Sequence, residues 1–247
     1  MSLRQYASFK VTVEDLLIVT HAVPPERVRP HVPHEFELDT IEIPGSGEAA
    51  LVSAACFFNR NAHWAPLQEP SLDYHQATYR TYVKRRGEAA VFFLGTYIEG
   101  GLPFVAQRLA IGNAWDADFD VSIVYDPHRR AYRRYYCRAA SDHGTTVVEA
   151  KAPGPEPDTH APFDTGRQMS FFITHRLIGY FRMSGGVLGS MRVEHEEMNP
   201  VEGWLITAQF DLWERLGILT RDEFMRHYAV LVQPRTEFVA HPPSPVL

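Results

Sequence analysis

Alternating polar and apolar positions are clearest in residues 76–84, which are rich in Tyr, Thr and Val. Such residues fit an extended strand, and a strand sends alternate side chains to opposite faces. One predicted face carries Gln76, Thr78, Arg80, Tyr82 and Lys84. A polar turn at 84–87 and the apolar run 89–94 follow. The two runs therefore predict a β-hairpin.

The polar face of this predicted strand has two interpretations. Antiparallel sheets commonly expose one face to water, so the side chains could be solvated. The alternative is that they line a polar cavity. The whole chain has only three lysines, and Lys84 lies on this face, which slightly favours the cavity.

The rest of the chain predicts many short strands and few helices. Further strands are predicted at 16–23, 49–58, 121–125, 131–139, 145–150, 191–195, 205–210, 228–232 and 236–239. Short helices are predicted at 24–31 after a Pro pair, at 104–111, and after the capping box of Thr220 and Glu223. Residues 169–180 fit either a helix or a strand. This pattern predicts a mainly β, α+β fold in which a closed or nearly closed antiparallel sheet carries a few peripheral helices.

Two irregular segments affect the predicted domain organisation. Residues 59–72 are rich in Pro, His and Asn and predict a loop, and residues 152–162 are the most linker-like segment. A domain boundary at this second segment would leave the following part of the chain with too few elements for its own core. We therefore predict a single domain over residues 1–247.

Composition and charge exclude several classes of function. The formal net charge of -6 and the pI near 6.0 argue against a general nucleic-acid or anionic-membrane binder, since both need a basic surface. No apolar run has the length of a transmembrane helix, and the N-terminus lacks the pattern of a signal peptide. The expected location is the cytoplasm. In that reducing compartment Cys56 and Cys137 are expected to be buried free thiols.

The chain has no recognisable cofactor or metal motif. Pro33 separates His31 from His34, and the stretch that begins at His195 lacks the second His of a zinc-binding H-E-x-x-H helix. The glycine patterns of nucleotide-binding loops and the G-x-S-x-G pattern of serine hydrolases are also missing from the sequence. We therefore predict neither a cofactor nor a metal.

The stretch Tyr82-Val83-Lys84-Arg85 resembles a motif of a known superfamily. Together with the hairpin, and with the order strand, short helix, Glu-Leu-Asp-Thr and strand near the N-terminus, it is similar to the YqjF-like family of uncharacterised proteins. That family belongs to the acetoacetate-decarboxylase-like superfamily. The decarboxylases carry Tyr-Pro-Lys-Lys, whose first Lys forms a Schiff base with the substrate and whose second Lys lowers its pKa.

The resemblance implies roles for particular residues and also marks departures. It implies that Lys84 is the nucleophile and that Arg85 is its neighbouring cation. Val83 replaces the Pro of the motif, Arg85 replaces the second Lys, and Thr78 stands where decarboxylases have an acidic residue. A barrel fold over most of the chain is the structural expectation.

The resemblance also implies a ligand-binding set beyond the hairpin. The family carries Arg where Arg108 and Arg176 lie, and it tends to carry His at the position of His195. With Arg80, these arginines could form a wall that receives a carboxylate, because a guanidinium offers a fixed fork of donors. Ordinary surface or salt-bridged arginines and a structural His195 are the alternatives. The candidate ligand-binding residues are Gln76, Arg80, Tyr82, Arg108, Arg176 and His195.

Two functions follow from these residues. The first is a barrel that binds a small organic ligand, such as a keto acid, or that only scaffolds a partner, without covalent chemistry. The alternative is a lyase in which Lys84 forms a Schiff base. A homo-oligomer is compatible with either. Strand alternation predicts that Arg80, Tyr82 and Lys84 point into the same cavity, unless a β-bulge reverses the faces.

Overall fold

Fifteen strands form one sheet in the computed structural model, which describes residues 8–67, 69–101, 112–155 and 160–246. The strands are β1 (Phe9–Val23), β2 (Glu37–Leu38), β3 (Ile41–Ile43), β4 (Gly47–Trp64), β5 (Leu72–Arg85), β6 (Glu88–Glu99), β7 (Ala114–Asp126), β8 (Ala131–Ser141), β9 (Gly144–Ala152), β10 (Ile178–Arg182), β11 (Leu188–Glu194), β12 (Val201–Glu202), β13 (Trp204–Phe210), β14 (Ala229–Ala240) and β15 (Ser244–Pro245). The helices of the described residues are α1 (Pro25–Val28), α2 (Gly166–Thr174) and α3 (Asp211–Arg215), with 3-10 turns at Arg29–His31 and Arg221–Glu223.

Seven of these strands close into a barrel. Their order around the ring is β5, β6, β10, β11, β14, β1 and β4, and the pairing of β4 with β5 completes the circle. The pairings of β6 with β10 and with β7 are parallel, and the other described pairings are antiparallel. The predicted fold class is therefore confirmed, with a mixed rather than a purely antiparallel sheet.

A second layer of strands, formed by β7, β8, β9 and β13, continues from β6 and packs against the outer face of the barrel. The core between the two layers contains large aromatic side chains such as Tyr79, Tyr135 and Trp213. Buried Tyr hydroxyls need hydrogen-bond partners, and Tyr135 donates to the carbonyl of Cys56 at 3.0 Å. The other face of the barrel strands forms a separate cluster in the barrel interior.

The alternation of β1 reverses at Asp15, whose φ of 50° lies in the left-handed region. Before it, Val11 and Val13 face the barrel interior, whereas after it Leu16 and Ile18 do so. Asp tolerates this conformation better than most residues. Asp15 also accepts a hydrogen bond of 2.7 Å from the hydroxyl of Tyr132 in the second layer. One residue thus keeps both halves of a 15-residue strand apolar toward the interior.

Most predicted elements are confirmed, and some boundaries were wrong. The hairpin of β5 and β6, the helix that follows Pro24 and the capping box of Thr220 are present. Residues 59–64 were predicted as a loop but extend β4, and residues 169–180 divide between α2 and β10. The helix predicted at 104–111 lies outside the described residues. Within the described part of the chain, no helix is long and apolar enough to cross a membrane.

Cys56 and Cys137 are buried free thiols, as predicted. They are distant in sequence, yet the core between the layers brings them together. The pKa of the Cys137 thiol is raised well above its ordinary value, mainly by a hydrogen bond with Cys56 and secondly by burial. A thiol that resists ionisation is a poor nucleophile, so this pair belongs to the core rather than to a reactive site.

Candidate functional site

The barrel interior contains an elongated cavity of about 310 Å³. Most of its wall is apolar and comes from β1, β6, β10, β11 and β14. The polar side chains of the wall are Asn59, Tyr74, Gln76, Thr78, Arg80, Thr174, Arg176, His195 and His241. A mostly apolar cavity with a few polar groups is the usual form of a small-molecule site.

Strand β5 supplies the polar side of the cavity. Tyr74, Gln76, Thr78 and Arg80 all face the interior, since they occupy alternate positions of the strand. Ala77, Tyr79 and Val83, at odd-numbered positions, face the core between the layers. The amide of Asn59 on β4 donates to the amide oxygen of Gln76 at 3.2 Å. Of the polar face predicted for residues 76–84, the part from Gln76 to Arg80 therefore borders a cavity.

Arg80 brings a half-buried cation into the cavity. Its Nη2 donates to the carbonyl of Ile173 at 3.1 Å, at the end of α2. Its Nε is buried and has no hydrogen-bond partner. A buried donor without a partner is unfavourable, and the cost is greater for charged groups. Arg80 is therefore the polar group of the wall that most clearly lacks an acceptor.

His195 lies at the same end of the cavity. Its Nδ1 is 2.8 Å from the carbonyl of Glu196, so Nδ1 carries the proton and donates it. The ring stacks on Phe238 with centroids 4.7 Å apart. Burial is the main cause that lowers the pKa of His195, and the charges of His175 and Arg80 lower it further. A neutral His195 keeps an unprotonated Nε2, which is a hydrogen-bond acceptor.

Tyr82 shares the face of Arg80 but does not line the cavity. Its hydroxyl donates to the carbonyl of Ile173 at 3.3 Å and lies 2.7 Å from the hydroxyl of Ser53. The side chain is 1% exposed because α2 covers it. Tyr82 therefore ties the barrel wall to the end of α2. The prediction that it points into the same cavity as Arg80 and Lys84 was wrong, because helix packing divides this face.

Lys84 lies beyond this division, in an outer groove of about 660 Å³ beside α2. Its Nζ is 2.7 Å from Oδ1 of Asp39, and the Lys84 side chain is 43% exposed. The Asp39 carboxylate is buried and accepts a second bond of 2.8 Å from Nη1 of Arg176. Asp39 thus joins an exposed cation to a buried one. Glu37, two residues before Asp39, lies opposite Lys84 in the pairing of β2 with β5. This register brings the side chains of Asp39 and Lys84 together.

Arg176 forms the wall between the groove and the cavity, since it lines both. Its guanidinium lies 4.0 Å from the ring centre of Phe172 and 5.4 Å from that of Tyr82. Its Nε donates to the carbonyl of Phe172 at 2.8 Å. These contacts and the ion pair with Asp39 hold the cation in one orientation.

Arg85, the predicted neighbouring cation, lies on the opposite face of β5 from Lys84. Its guanidinium is 5.9 Å from the ring centre of Tyr180, in the core outside the barrel. The cation that shares a carboxylate with Lys84 is instead Arg176. The predicted site residue Arg108 lies outside the described residues.

The comparisons with known proteins identify a family. Residues 10–233 match the profile of the family DUF2071, described as an uncharacterized conserved protein. The chain belongs to this family. No curated protein matches the chain. The predicted resemblance to an uncharacterised family with an acetoacetate-decarboxylase-like fold is confirmed.

Solved structures show which fold this DUF2071 chain shares. It is similar to the enduracididine biosynthesis enzyme MppR complexed with pyruvate, with a TM-score of 0.60, 14% identity, and coverage of 96% of this chain and 90% of that chain. It is also similar to acetoacetate decarboxylase from Legionella pneumophila, with a TM-score of 0.61, 11% identity, and coverage of 97% and 86%. An acetoacetate decarboxylase-like enzyme from Sphingomonas wittichii has a TM-score of 0.58, 8% identity, and coverage of 98% and 93%. At these identities the likeness establishes the fold alone.

Two residues that the sequence interpretation missed contribute to this region of the DUF2071 chain. Asp39 lies in the Glu-Leu-Asp-Thr segment, and glutamates also occur at positions 35, 37 and 42, so the sequence does not distinguish it from its acidic neighbours. His175 follows α2, and its ring lies 4.7 Å from Phe171 and 5.3 Å from His195. Its Nδ1 is buried without a hydrogen-bond partner. No sequence pattern marks this position.

The charge of the cavity wall is positive over the described residues. No group of three or more His, Cys, Asp or Glu side chains suited to a metal ion occurs among the described residues. The charged side chains of the described cavity wall are Arg80 and Arg176, and both are cations.

Proposed function

We propose that this protein binds a small organic acid in the barrel cavity, with the carboxylate of the ligand on Arg80. The observation that carries the proposal is the buried Nε of Arg80, which lacks a hydrogen-bond partner while Nη2 is held by Ile173. A carboxylate can accept two parallel hydrogen bonds from one edge of a guanidinium. Such a ligand would satisfy both the charge and the unused donor.

The neighbours of Arg80 support an acid rather than a neutral ligand. Arg176 lines the same cavity, but its own charge is already paired with Asp39. Arg80 has no ion pair among the described residues, so its charge is available for a ligand. The complex of MppR with pyruvate, a keto acid, is a further reason to test acids of this class first.

We expect Arg80→Gln to weaken the binding of organic acids by about 10- to 100-fold, since hydrogen bonds to charged groups contribute about 1.5–3 kcal/mol. Isothermal titration calorimetry with pyruvate, 2-oxobutanoate and acetoacetate measures the effect. Arg85→Gln is the matched control, because Arg85 belongs to the same strand but contacts Tyr180 outside the barrel. Equal affinities for the wild type and Arg80→Gln would refute the role of Arg80.

The alternative function, a Schiff-base lyase that uses Lys84, has weaker support. Attack on a carbonyl needs an uncharged amine, whereas the Lys84 amine is ion-paired with Asp39 at 2.7 Å and is partly open to water. It also lies in the outer groove, and Arg176 and Tyr82 separate it from the cavity. The similarity in fold to acetoacetate decarboxylase is the reason to test this alternative.

Borohydride trapping is expected to give no specific adduct on Lys84. The protein is incubated with acetoacetate or pyruvate and reduced, and peptide mass spectrometry then compares the three lysines. The exposed Lys10 and Lys151 report non-specific modification. Ligand mass on Lys84 well above that on the other two, and its loss in Lys84→Ala, would favour the lyase instead.

A further inference from the structure

The end of α2 brings three polar side chains of the cavity wall together. The carbonyl of Ile173, in the last turn of α2, accepts the hydrogen bond of 3.1 Å from Nη2 of Arg80. Thr174 follows directly and lines the cavity. The ring centre of the next residue, His175, lies 5.3 Å from that of His195, which also lines the cavity. Arg80, Thr174 and His195 therefore form one polar cluster, which we call the Arg80 cluster.

The hydroxyl of Thr174 has its proton committed within α2. Its Oγ1 donates to the carbonyl of Ser170 at 2.7 Å, one turn earlier in the helix. A carbonyl oxygen has no proton to give, so the hydroxyl is the donor of this bond. A hydroxyl has one proton and two lone pairs, which leaves its oxygen as an acceptor. Toward a ligand, Thr174 therefore accepts a hydrogen bond and does not donate one.

His195 offers a second acceptor to the cavity. Its Nδ1 is committed to the carbonyl of Glu196, so the ring atom left for a ligand is Nε2. A neutral imidazole carries one proton, which makes Nε2 an acceptor. At pH 8 even an ordinary imidazole, with a pKa of about 6.5, is neutral. Burial lowers the pKa of His195 further, which keeps the ring neutral in that range.

The cluster therefore combines one donor with two acceptors. Arg80 only donates, since a guanidinium has no acceptor atom. With a ligand carboxylate on Arg80, a neighbouring ligand group meets the acceptors of Thr174 and His195. A keto oxygen is itself an acceptor and leaves both without a proton, whereas a hydroxyl can donate to one of them. An ammonium also donates, but its charge would be repelled by that of Arg80.

We infer that the ligand is a hydroxy acid, in which a neutral hydroxyl close to the carboxylate donates to Thr174 or His195. This inference rests on the proposed function, because it uses Arg80 as the carboxylate site. It goes beyond that proposal by separating hydroxy acids from the keto acids and amino acids of the same size.

A series of matched acids tests the inference. Calorimetric titrations at pH 8 compare propanoate, pyruvate, both enantiomers of lactate, and alanine, which share a three-carbon skeleton and differ at the carbon next to the carboxylate. The pair of 3-hydroxybutanoate and acetoacetate tests a hydroxyl one carbon further away. In at least one of the two sets, the hydroxy acid is expected to bind about 10-fold or more tightly than its keto partner, because a buried acceptor left without a donor is costly.

Variants of the two acceptors locate the hydroxyl. Thr174→Val removes the hydroxyl with little change of shape, and His195→Phe removes Nε2 but can keep the stacking on Phe238. In the double variant the preference for the hydroxy acid is expected to disappear, while the single variants show which acceptor is used. Thr207→Val is the matched control and should keep the preference, because Thr207 is exposed on β13 and lies outside the cavity lining.

Each other outcome overturns a defined statement. Keto acids that bind as tightly as the hydroxy acids refute the inference, and the proposed acid site stands if Arg80→Gln still weakens the binding of all these acids. Alanine as the tightest ligand refutes the neutral donor. A preference that persists in the folded double variant shows that the hydroxyl is bound elsewhere and overturns the inference. Failure of every acid to bind refutes the proposed function as well. The series with the wild type decides the inference even where a variant does not fold.

Discussion

Replacing Asp39 with Asn is expected to lower the free energy of unfolding by about 3–5 kcal/mol, the usual cost of breaking a buried ion pair by removing one partner. The side chains of Asp39 and Arg176 are each only 5% exposed. Asn has nearly the same shape as Asp but no charge. The substitution therefore leaves the guanidinium of Arg176 buried between Phe172 and Tyr82 without a counter-charge.

Lys84→Met is the matched comparison for this prediction. It removes the second partner of Asp39, but Lys84 is 43% exposed, so its pair should contribute at most about 1 kcal/mol. Urea unfolding of both variants at neutral pH, followed by circular dichroism and tryptophan fluorescence, gives the two free energies. If Asp39→Asn were no more destabilising than Lys84→Met, the buried pair with Arg176 would not be a major contribution to stability.

The sequence predicted the barrel and the polar face of β5 because both depend on local patterns. Alternation from Gln76 to Arg80 determines which side chains point inward, whatever the rest of the chain does. Hairpin signals and the number of short strands likewise indicate a closed sheet. These features need no knowledge of long-range contacts.

The division of that face was not predictable in the same way. Tyr82 and Lys84 follow Arg80 with correct alternation, yet α2 packs over Tyr82 and separates the groove from the cavity. Residues 169–180 were ambiguous between helix and strand, so the sequence could not place a helix there. The contact of α2 with β5 joins residues about 90 positions apart, as the bond from Tyr82 to Ile173 shows.

The role of Asp39 depends on strand register. Only the pairing of β2 with β5, in which Glu37 lies opposite Lys84, brings the Asp39 carboxylate between Lys84 and Arg176. A two-residue strand such as β2 carries too short a pattern to predict that register.

The reversal of alternation at Asp15 was also not predictable from the sequence, because a positive φ within a long strand leaves no periodic signal of its own.

The two cations nearest to Tyr82 have different tasks in this arrangement. The charge of Arg176 is paired with Asp39, and its guanidinium group packs on the ring of Phe172. Arg176 is therefore a structural part of the wall. Arg80 lines the cavity, is held by one bond to Ile173 and has a buried Nε without a hydrogen-bond partner. A stability loss in Asp39→Asn and a binding loss in Arg80→Gln would therefore separate the two roles experimentally.

His21 should make the protein less stable as the pH falls from about 6.5 to about 4. Its Nε2 lies 2.9 Å from the carbonyl of Phe224 and therefore carries the proton, while the buried Nδ1 has no partner. Burial is the main cause that lowers the pKa of His21 to about 4, against 6.5 for the ordinary residue. In this pH window the unfolded chain binds a proton that the folded chain does not, so stability rises with pH and is lost on acidification.

The expected size of the loss is about 3 kcal/mol, since each pKa unit corresponds to about 1.4 kcal/mol. His21→Gln can keep a donor to Phe224 but does not titrate. Between pH 7 and pH 4 the unfolding free energy of this variant should therefore fall by about 3 kcal/mol less than that of the wild type. Urea unfolding at several pH values measures the difference, and any constant packing penalty of Gln cancels from it. His34→Gln, at a fully exposed position, controls for the substitution itself. Parallel curves for the wild type and His21→Gln would show that His21 is not the group that couples acidification to unfolding.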